Sequence, residues 1–178
     1  MKKELLEILK KEAYFKQNVI LSSGKPSNFY IDVRRVSLSP KGLYLISNLV
    51  WELIKNDDIT AIGGPTLGAD PIVAGVCMLA YQNNKNIKGF IVRKEPKKYG
   101  RMQLIEGKEL SRDDRVVIVD DVATTGSSLL NSLKVLRKEN ISVLRAIVVV
   151  EREDTARENL LKENCPLVSI FKYTDFEE

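Results

Sequence analysis

Apolar residues in this chain fall into two alternating patterns. From residue 59 onward, short unbroken apolar runs give way to stretches with apolar positions three and four residues apart. The runs Val116-Val117-Ile118-Val119 and Ala146-Ile147-Val148-Val149-Val150 have the character of strands covered on both faces. The pattern predicts strands over 59–63, 89–92, 116–119, 143–150 and 167–171. Helices are predicted from Asp70-Pro71 to about Tyr81, from Ser127 to Glu139 and from Thr155 to Glu163. Upstream, residues 3–14 read as an amphipathic helix through Leu5, Leu6, Leu9 and Ala13. A turn cluster at 22–28 precedes a short strand at 29–33, and Ser39-Pro40 opens a helix with Leu43, Ile46, Leu49, Val50, Leu53 and Ile54 on one face. Residues 93–115 are polar and lack a regular period over much of their length. Strands alternating with helices imply right-handed crossovers, hence an α/β fold with a mostly parallel central sheet flanked by helices. In such sheets ligands bind at the carboxyl ends of the strands.

Composition narrows the chemistry. The 178 residues, 44% hydrophobic and 29% charged, suit one compact domain and are too apolar for a disordered chain. No apolar stretch approaches the roughly 20 residues that cross a bilayer, so no membrane contact is expected. Glu4, Glu7, Lys10 and Lys11 interrupt the N-terminal apolar positions, so no signal peptide is expected either. Cys77 and Cys165 read as a reduced pair in a cytoplasmic protein. The net charge of +4 fits a phosphorylated ligand and does not by itself call for nucleic acid. The complete absence of histidine decides more. It excludes Ser-His-Asp and Cys-His pairs, His-ligated zinc and imidazole bases. Catalysis is left to carboxylates, Lys, Arg, Tyr, hydroxyls, backbone amides or an oxygen-bound metal.

The strongest constellation is Val116-Val117-Ile118-Val119-Asp120-Asp121-Val122-Ala123-Thr124-Thr125-Gly126-Ser127-Ser128. A buried strand delivers two adjacent carboxylates to its carboxyl end, a hydroxyl-rich turn follows, and a helix opens. Turn amides, the helix start and the hydroxyls of Thr124, Thr125, Ser127 and Ser128 make an anion cradle suited to a phosphate monoester. The carboxylates repel phosphate, so they face vicinal sugar hydroxyls or a magnesium ion held partly through water. Two-residue fragments of this string also fit a plain strand end and helix cap; the whole string fits that reading poorly. Neither G-x-x-x-x-G-K-[ST] nor G-x-G-x-x-G occurs. A second cluster, Arg93, Lys94, Lys97, Lys98 and Arg101 around the lone Glu95, fits a solvated basic loop or the neutralisation of a pyrophosphate leaving group.

The string from Val116 to Ser128 resembles the phosphoribosyl-pyrophosphate (PRPP) signature of type I phosphoribosyltransferases, and nearly the whole chain resembles the orotate phosphoribosyltransferase family. The likeness also rests on Leu21-Ser22-Ser23-Gly24-Lys25-Pro26-Ser27-Asn28-Phe29-Tyr30-Ile31-Asp32, on Gly64-Pro65-Thr66-Leu67-Gly68-Ala69-Asp70-Pro71, on Arg93-Lys94-Glu95-Pro96-Lys97-Lys98-Tyr99-Gly100 and on Glu151-Arg152-Glu153. The resemblance implies a single domain, with a core over about 39–151, a small hood from about 1–38 and 152–178, and a mobile loop over about 94–108. It implies transfer of the phosphoribosyl group from PRPP to orotate with Mg²⁺, in a homodimer whose loop acts in trans. Lys97, Asp120 and Asp121 take catalytic roles in that picture. Arg93, Lys94, Lys97, Tyr99 and the segment Asp120, Asp121, Val122, Ala123, Thr124, Thr125, Gly126, Ser127 and Ser128 bind PRPP. Tyr30, Thr124 and Arg152 bind orotate, and the metal is held mainly by PRPP, with no side-chain ligand assigned. The chain departs from better-known members at Gly68 and Ser22, where they carry lysine, and at Tyr99, where they carry histidine. Lys97 is left as the chief loop cation. Two rivals remain at this stage: a phosphoribosyltransferase for another base, and a PRPP-sensing regulator that binds nucleic acid.

Overall fold

The computed structural model describes residues 1–20, 26–95 and 104–177. Its elements run α1 (Lys2–Glu12), β1 (Tyr14–Phe15), β2 (Val19–Ile20), β3 (Pro26–Ser27), β4 (Tyr30–Ile31), α2 (Arg34–Ser37), α3 (Pro40–Ile54), β5 (Ala61–Pro65), α4 (Ala69–Gln82), β6 (Lys88–Val92), β7 (Ile105–Gly107), β8 (Arg115–Ala123), α5 (Ser127–Lys138), β9 (Ser142–Glu151), α6 (Thr155–Lys162) and β10 (Leu167–Lys172), with a 3₁₀ turn at Tyr173–Phe176. Six strands form the central sheet in the order β10-β9-β8-β5-β6-β7. All neighbours are parallel except the edge pair β6 and β7.

Alternation along the buried strands sorts the core into two layers. Val117 and Val119 of β8, with Ile147 and Val149 of β9, pack under α1 to α4. Val116, Ile118, Ala146 and Val148 point to the other face, where Leu129, Leu133 and Leu136 of α5 and Leu160 of α6 cover them. Each large side chain buried in this way contributes about 1.5–3 kcal/mol. From β5 the chain crosses through α4 to β6; from β8 it crosses through α5 and α6 to β9 and β10, on the opposite side. The direction of winding therefore reverses between β5 and β8, and a crevice opens at their carboxyl ends.

Several boundaries differ from the sequence expectations. Strand β8 runs on through Asp120 and Asp121 to Ala123, because the ladder with β9 continues to Ala123 opposite Glu151. Helix α4 begins at Ala69 with Gly68 at its cap, so Asp70 lies in the first turn and is not the cap. Ser39 does cap α3, accepting from the Gly42 amide at 3.1 Å. The predicted strand 29–33 shortens to β4 and gives way to α2. Of the expected mobile loop 94–108, Ile105–Gly107 is strand β7 and residues 96–103 lie outside the described residues.

Leu5 and Leu9 of α1 are fully buried in the main core, and β10 completes the sheet through its apolar side chains against β9. The same two terminal stretches also hold the antiparallel pairs β1–β4 and β2–β3, α6 and the 3₁₀ turn.

At the amino end of the sheet, Asp114 is a buried junction. It accepts from Thr60 Oγ1 at 2.6 Å, Lys88 Nζ at 2.8 Å and the Ser111 amide at 2.7 Å, tying the segments entering β5, β6 and β8. Burial alone pushes its carboxyl up, but the bonds from Lys88, Thr60 and Ser111 outweigh this and hold it at about 2. A folded-state value below the unfolded one stabilises the fold above about pH 4, and that gain is lost as pH falls through about 2. Asp114→Asn is therefore expected to lower stability by about 2 kcal/mol at pH 7, a gap that narrows on acidification from pH 4 to pH 2. Urea unfolding at a series of pH values checks this; a gap independent of pH would refute it.

Candidate functional site

Two carboxylates stand side by side where β8 meets the crevice. Asp120 is 7% exposed and pairs in register with Val148, while Asp121 is half-buried on the next turn of the pleat. Asp120 Oδ1 accepts the Asp121 amide at 2.9 Å, and Asp121 Oδ1 accepts the Val122 amide at 2.7 Å. Burial pushes the Asp120 carboxyl well above the usual carboxylate range, and the Asp121 charge adds to this; Lys94 acts in the opposite sense. Burial also raises Asp121, partly offset by the Val122 amide, Asp120 and Arg34. Each carboxylate keeps acceptor capacity beyond its one backbone amide, which suits both to accept from hydroxyl groups entering the crevice.

Gly68 forms the facing wall. A Cβ placed there would stand 2.4 Å from Asp121 Oδ1 and 2.5 Å from Asp120 Oδ1. Because backbone amides hold those same oxygens, the carboxylates are not free to swing away, and no side chain fits at this position without moving them. The small residue noted in the sequence thus belongs to the acid pair's own packing.

Beyond β8 the chain turns through Thr124, Thr125 and Gly126 into α5. Gly126 sits at the helix cap with φ +74°, a conformation that other residues adopt only under strain. No side chain caps α5, so the amides at its start face the turn with their partial positive charge. Thr124 and Thr125 are half-buried and Ser127 and Ser128 exposed, which lines one concave end with hydroxyls. Asn159 Nδ2 fixes the turn through the Thr125 carbonyl at 3.1 Å.

Arg152 approaches from β9. Its amide donates to the Ala123 carbonyl at 2.8 Å, which places it beside the end of β8. The side chain is 8% exposed, donates through Nη2 to Ser27 Oγ at 2.6 Å and to the Phe29 carbonyl at 2.7 Å, and lies 4.1 Å above the Phe29 ring. Burial lowers its pKa while Glu153, Tyr173 and Tyr30 oppose that shift. The preceding Glu151, buried among Arg157 and Ser169, anchors the strand end, with Arg157 Nε at 2.9 Å and Ser169 Oγ at 2.7 Å.

Tyr30 joins the two halves. Its hydroxyl accepts from Arg34 Nη2 at 3.4 Å, and Arg34 Nε is fixed by Asp32 Oδ1 at 2.8 Å. Arg34 in turn acts electrostatically on Asp121. The structure therefore gathers Asp120, Asp121, Thr124, Thr125, Tyr30 and Arg152 around one crevice, with Lys94 exposed at its edge. Arg93 is also exposed, donating to the Glu95 carbonyl and standing 3.8 Å from Glu106. Lys97 and Tyr99 lie outside the described residues. Sequence reasoning missed Asp32, Arg34 and the guanidinium contacts of Ser27. The available signal was a pair of opposite charges two residues apart, directly after Tyr30.

Residues 74–170 match the family described as phosphoribosyl transferase domain. The orotate phosphoribosyltransferase of Aquifex aeolicus is 43% identical over 155 residues, covering 87% of this chain and 84% of that protein. That of Methanocaldococcus jannaschii is 40% identical over 170 residues, covering 95% and 93%. Among solved structures, the Mycobacterium tuberculosis orotate phosphoribosyltransferase in complex with PRPP superposes with a TM-score of 0.81 at 31% identity, covering 99% of each chain.

Gly68→Ala is expected to destabilise the fold by about 1–3 kcal/mol, since the added methyl group collides with two amide-bound carboxylates. Thermal unfolding checks this; an unchanged midpoint would mean that the acid pair moves freely.

Proposed function

This chain belongs to the orotate phosphoribosyltransferase family, and on that footing we propose how its crevice joins orotate to PRPP, giving orotidine 5′-monophosphate and pyrophosphate in pyrimidine biosynthesis. The observation that carries the reading is the buried acid pair at the β5–β8 reversal, set against a helix start without a side-chain cap. A sugar phosphate satisfies both at once. Its ribose hydroxyls donate to Asp120 and Asp121, while its 5′-phosphate accepts from the amides and hydroxyls between Val122 and Ser128, Ala123 and Gly126 contributing backbone only.

Orotate is a carboxylated pyrimidine, and Arg152 supplies the planar fork that grips a carboxylate. Tyr30 and Thr124 flank the base. Positive charge develops on the ribose as its bond to pyrophosphate weakens, and Asp120 and Asp121 offset it from below. Arg93, Lys94, Lys97 and Tyr99 meet the departing pyrophosphate; the electrostatic link between Lys94 and Asp120 already ties this basic segment to the acid pair. No covalent enzyme intermediate is needed, so a chain without histidine suffices: its residues position the reactants and stabilise charge.

Magnesium suits this donor set. Asp120 and Asp121 offer only oxygen, and among the described residues no group of three or more His, Cys, Asp or Glu side chains gathers to cage an ion. Mg²⁺ would be held chiefly by PRPP, with the two aspartates reaching it through water, and would neutralise pyrophosphate charge. A homodimer with the loop acting in trans accords with the apolar side chains left exposed on and beside α4: Leu67, Met78 and Tyr81, at 65%, 55% and 83%. No helix among the described residues is long and apolar enough to cross a membrane, and both cysteines are free thiols, in keeping with a cytoplasmic setting.

Pyrophosphate release from PRPP, measured with orotate, uracil, adenine and hypoxanthine in turn, tests the reaction; orotate is expected to support turnover far above the other three bases. Asp120→Asn combined with Asp121→Asn should abolish turnover in a protein that still unfolds cooperatively, and retained activity would reduce the acid pair to a structural role. Lys97→Ala is expected to cut kcat at least about 100-fold with little change in PRPP affinity, because its charge acts on the leaving group. Mixing Lys97→Ala subunits with Asp121→Asn subunits should recover partial activity; confirmed heterodimers without recovery would place each loop over its own subunit's site.

A further inference from the structure

Arg152 rests on a ring that is itself held. The Phe29 ring under its guanidinium stacks on its other side against Tyr173, with centroids 4.0 Å apart and planes inclined by 12°. Tyr173 opens the C-terminal 3₁₀ turn, far along the chain from Phe29. Tyr14 flanks Phe29 at 5.9 Å and Phe176 at 5.7 Å, and Phe176 meets Phe171 of β10 edge-on at 6.3 Å. Burial raises the pKa of the Tyr173 hydroxyl, and the neighbouring Glu177 and Tyr14 add to this. Phe29 lies between two strands of only two residues, β3 and β4, so the ladder around it fixes its side chain weakly. The stack from the C-terminal turn fixes it instead.

We propose that Tyr173 is a positioning residue for the base: by stacking on Phe29 it sets the plane on which the Arg152 guanidinium lies, and so tunes affinity for the carboxylate of the substrate. This rests on the reading of Arg152 as the orotate carboxylate contact. A guanidinium over an aromatic face is attracted to it without being held in one rotation, so the orientation of the fork depends on the orientation of the ring. The hydrogen bonds to Ser27 Oγ and the Phe29 carbonyl fix one nitrogen; the ring plane fixes the rest. Neither Tyr173 nor Phe176 needs to touch the substrate for the C-terminal turn to influence which base is chosen.

Steady-state kinetics of the full chain tests this, with wild type, Tyr173→Ala and Tyr173→Phe assayed against orotate, PRPP and uracil, which lacks the carboxylate. Tyr173→Ala is expected to raise the KM for orotate about tenfold while kcat and the KM for PRPP stay within about twofold, and to narrow the preference for orotate over uracil. Tyr173→Phe keeps the ring and should restore the orotate KM to within about twofold of wild type. A fall in kcat with both KM values unchanged would mark loss of folded protein alone and overturn the proposal. So would equal rises in both KM values, or a Tyr173→Phe enzyme as impaired as Tyr173→Ala. If Tyr173→Ala fails to unfold cooperatively, Tyr173→Leu retains apolar bulk without a stacking ring and carries the same expectations. Wild-type protein that releases no pyrophosphate with orotate would refute the functional reading itself, a result distinct from any difference between variants.

Discussion

Two adjacent carboxylates buried in the last residues of a sheet strand set the terms for everything around them. Ionised carboxylates in a poorly solvated position are costly unless donors reach them, and here the neighbouring backbone amides of Asp121 and Val122 each reach one oxygen. The remaining acceptor capacity faces the crevice. A ligand rich in hydroxyl groups completes it, and a bare phosphate is repelled. In the proposed pose the phosphate end of the ligand is displaced toward the turn after Ala123, where the amides at the start of α5 and the hydroxyls of 124–128 lie. One electrostatic constraint orients the whole substrate.

The architecture keeps that constraint in place. β9 holds β8 as far as Ala123, while the ladder with β5 ends at Ile118, and the reversal of winding at β5 leaves the crevice open beside the tip. Gly68 lets the β5–α4 turn close against both carboxylates, and Gly126 lets the chain turn into α5 soon after. At the other end of the same strands, Asp114 ties the entries of β5, β6 and β8. A hydrogen-bonded junction at the amino end and a buried acid pair at the carboxyl end divide the sheet between stability and the proposed chemistry, as open α/β sheets do.

The base pocket is built on a different principle. It draws on segments remote in sequence: β3 and β4 near the start, the end of β9, and the C-terminal turn. Arg152 is backed by an aromatic stack, while Glu151, Arg157 and Ser169 lock the strand that delivers it. The sugar-phosphate half of the site is local and backbone-based; the base half is assembled from side chains brought together by folding. Specificity for the base therefore depends on tertiary packing to a degree that phosphate binding does not.

The same division separates what was legible in the amino-acid sequence from what was not. Uninterrupted apolar runs such as those ending at Val119 and Val150 announce buried parallel strands, and the acids, hydroxyls and glycine of 120–128 are contiguous, so strand, cradle and helix start could be read in one pass. Contact order hid the rest. The strands β1, β2 and β3 are two residues long and have no period to detect, and β7 is defined by its partner β6. Arg34 reaching toward Asp121, and Tyr173 stacking on Phe29 across most of the chain, leave no local trace, since spacing records only neighbours within a turn or a strand. Sequence determined the fold class and the contiguous acid-and-hydroxyl segment proposed to grip the sugar phosphate; only the tertiary structure decided which distant side chains surround Arg152, because those contacts join segments near residues 27–29 and 173.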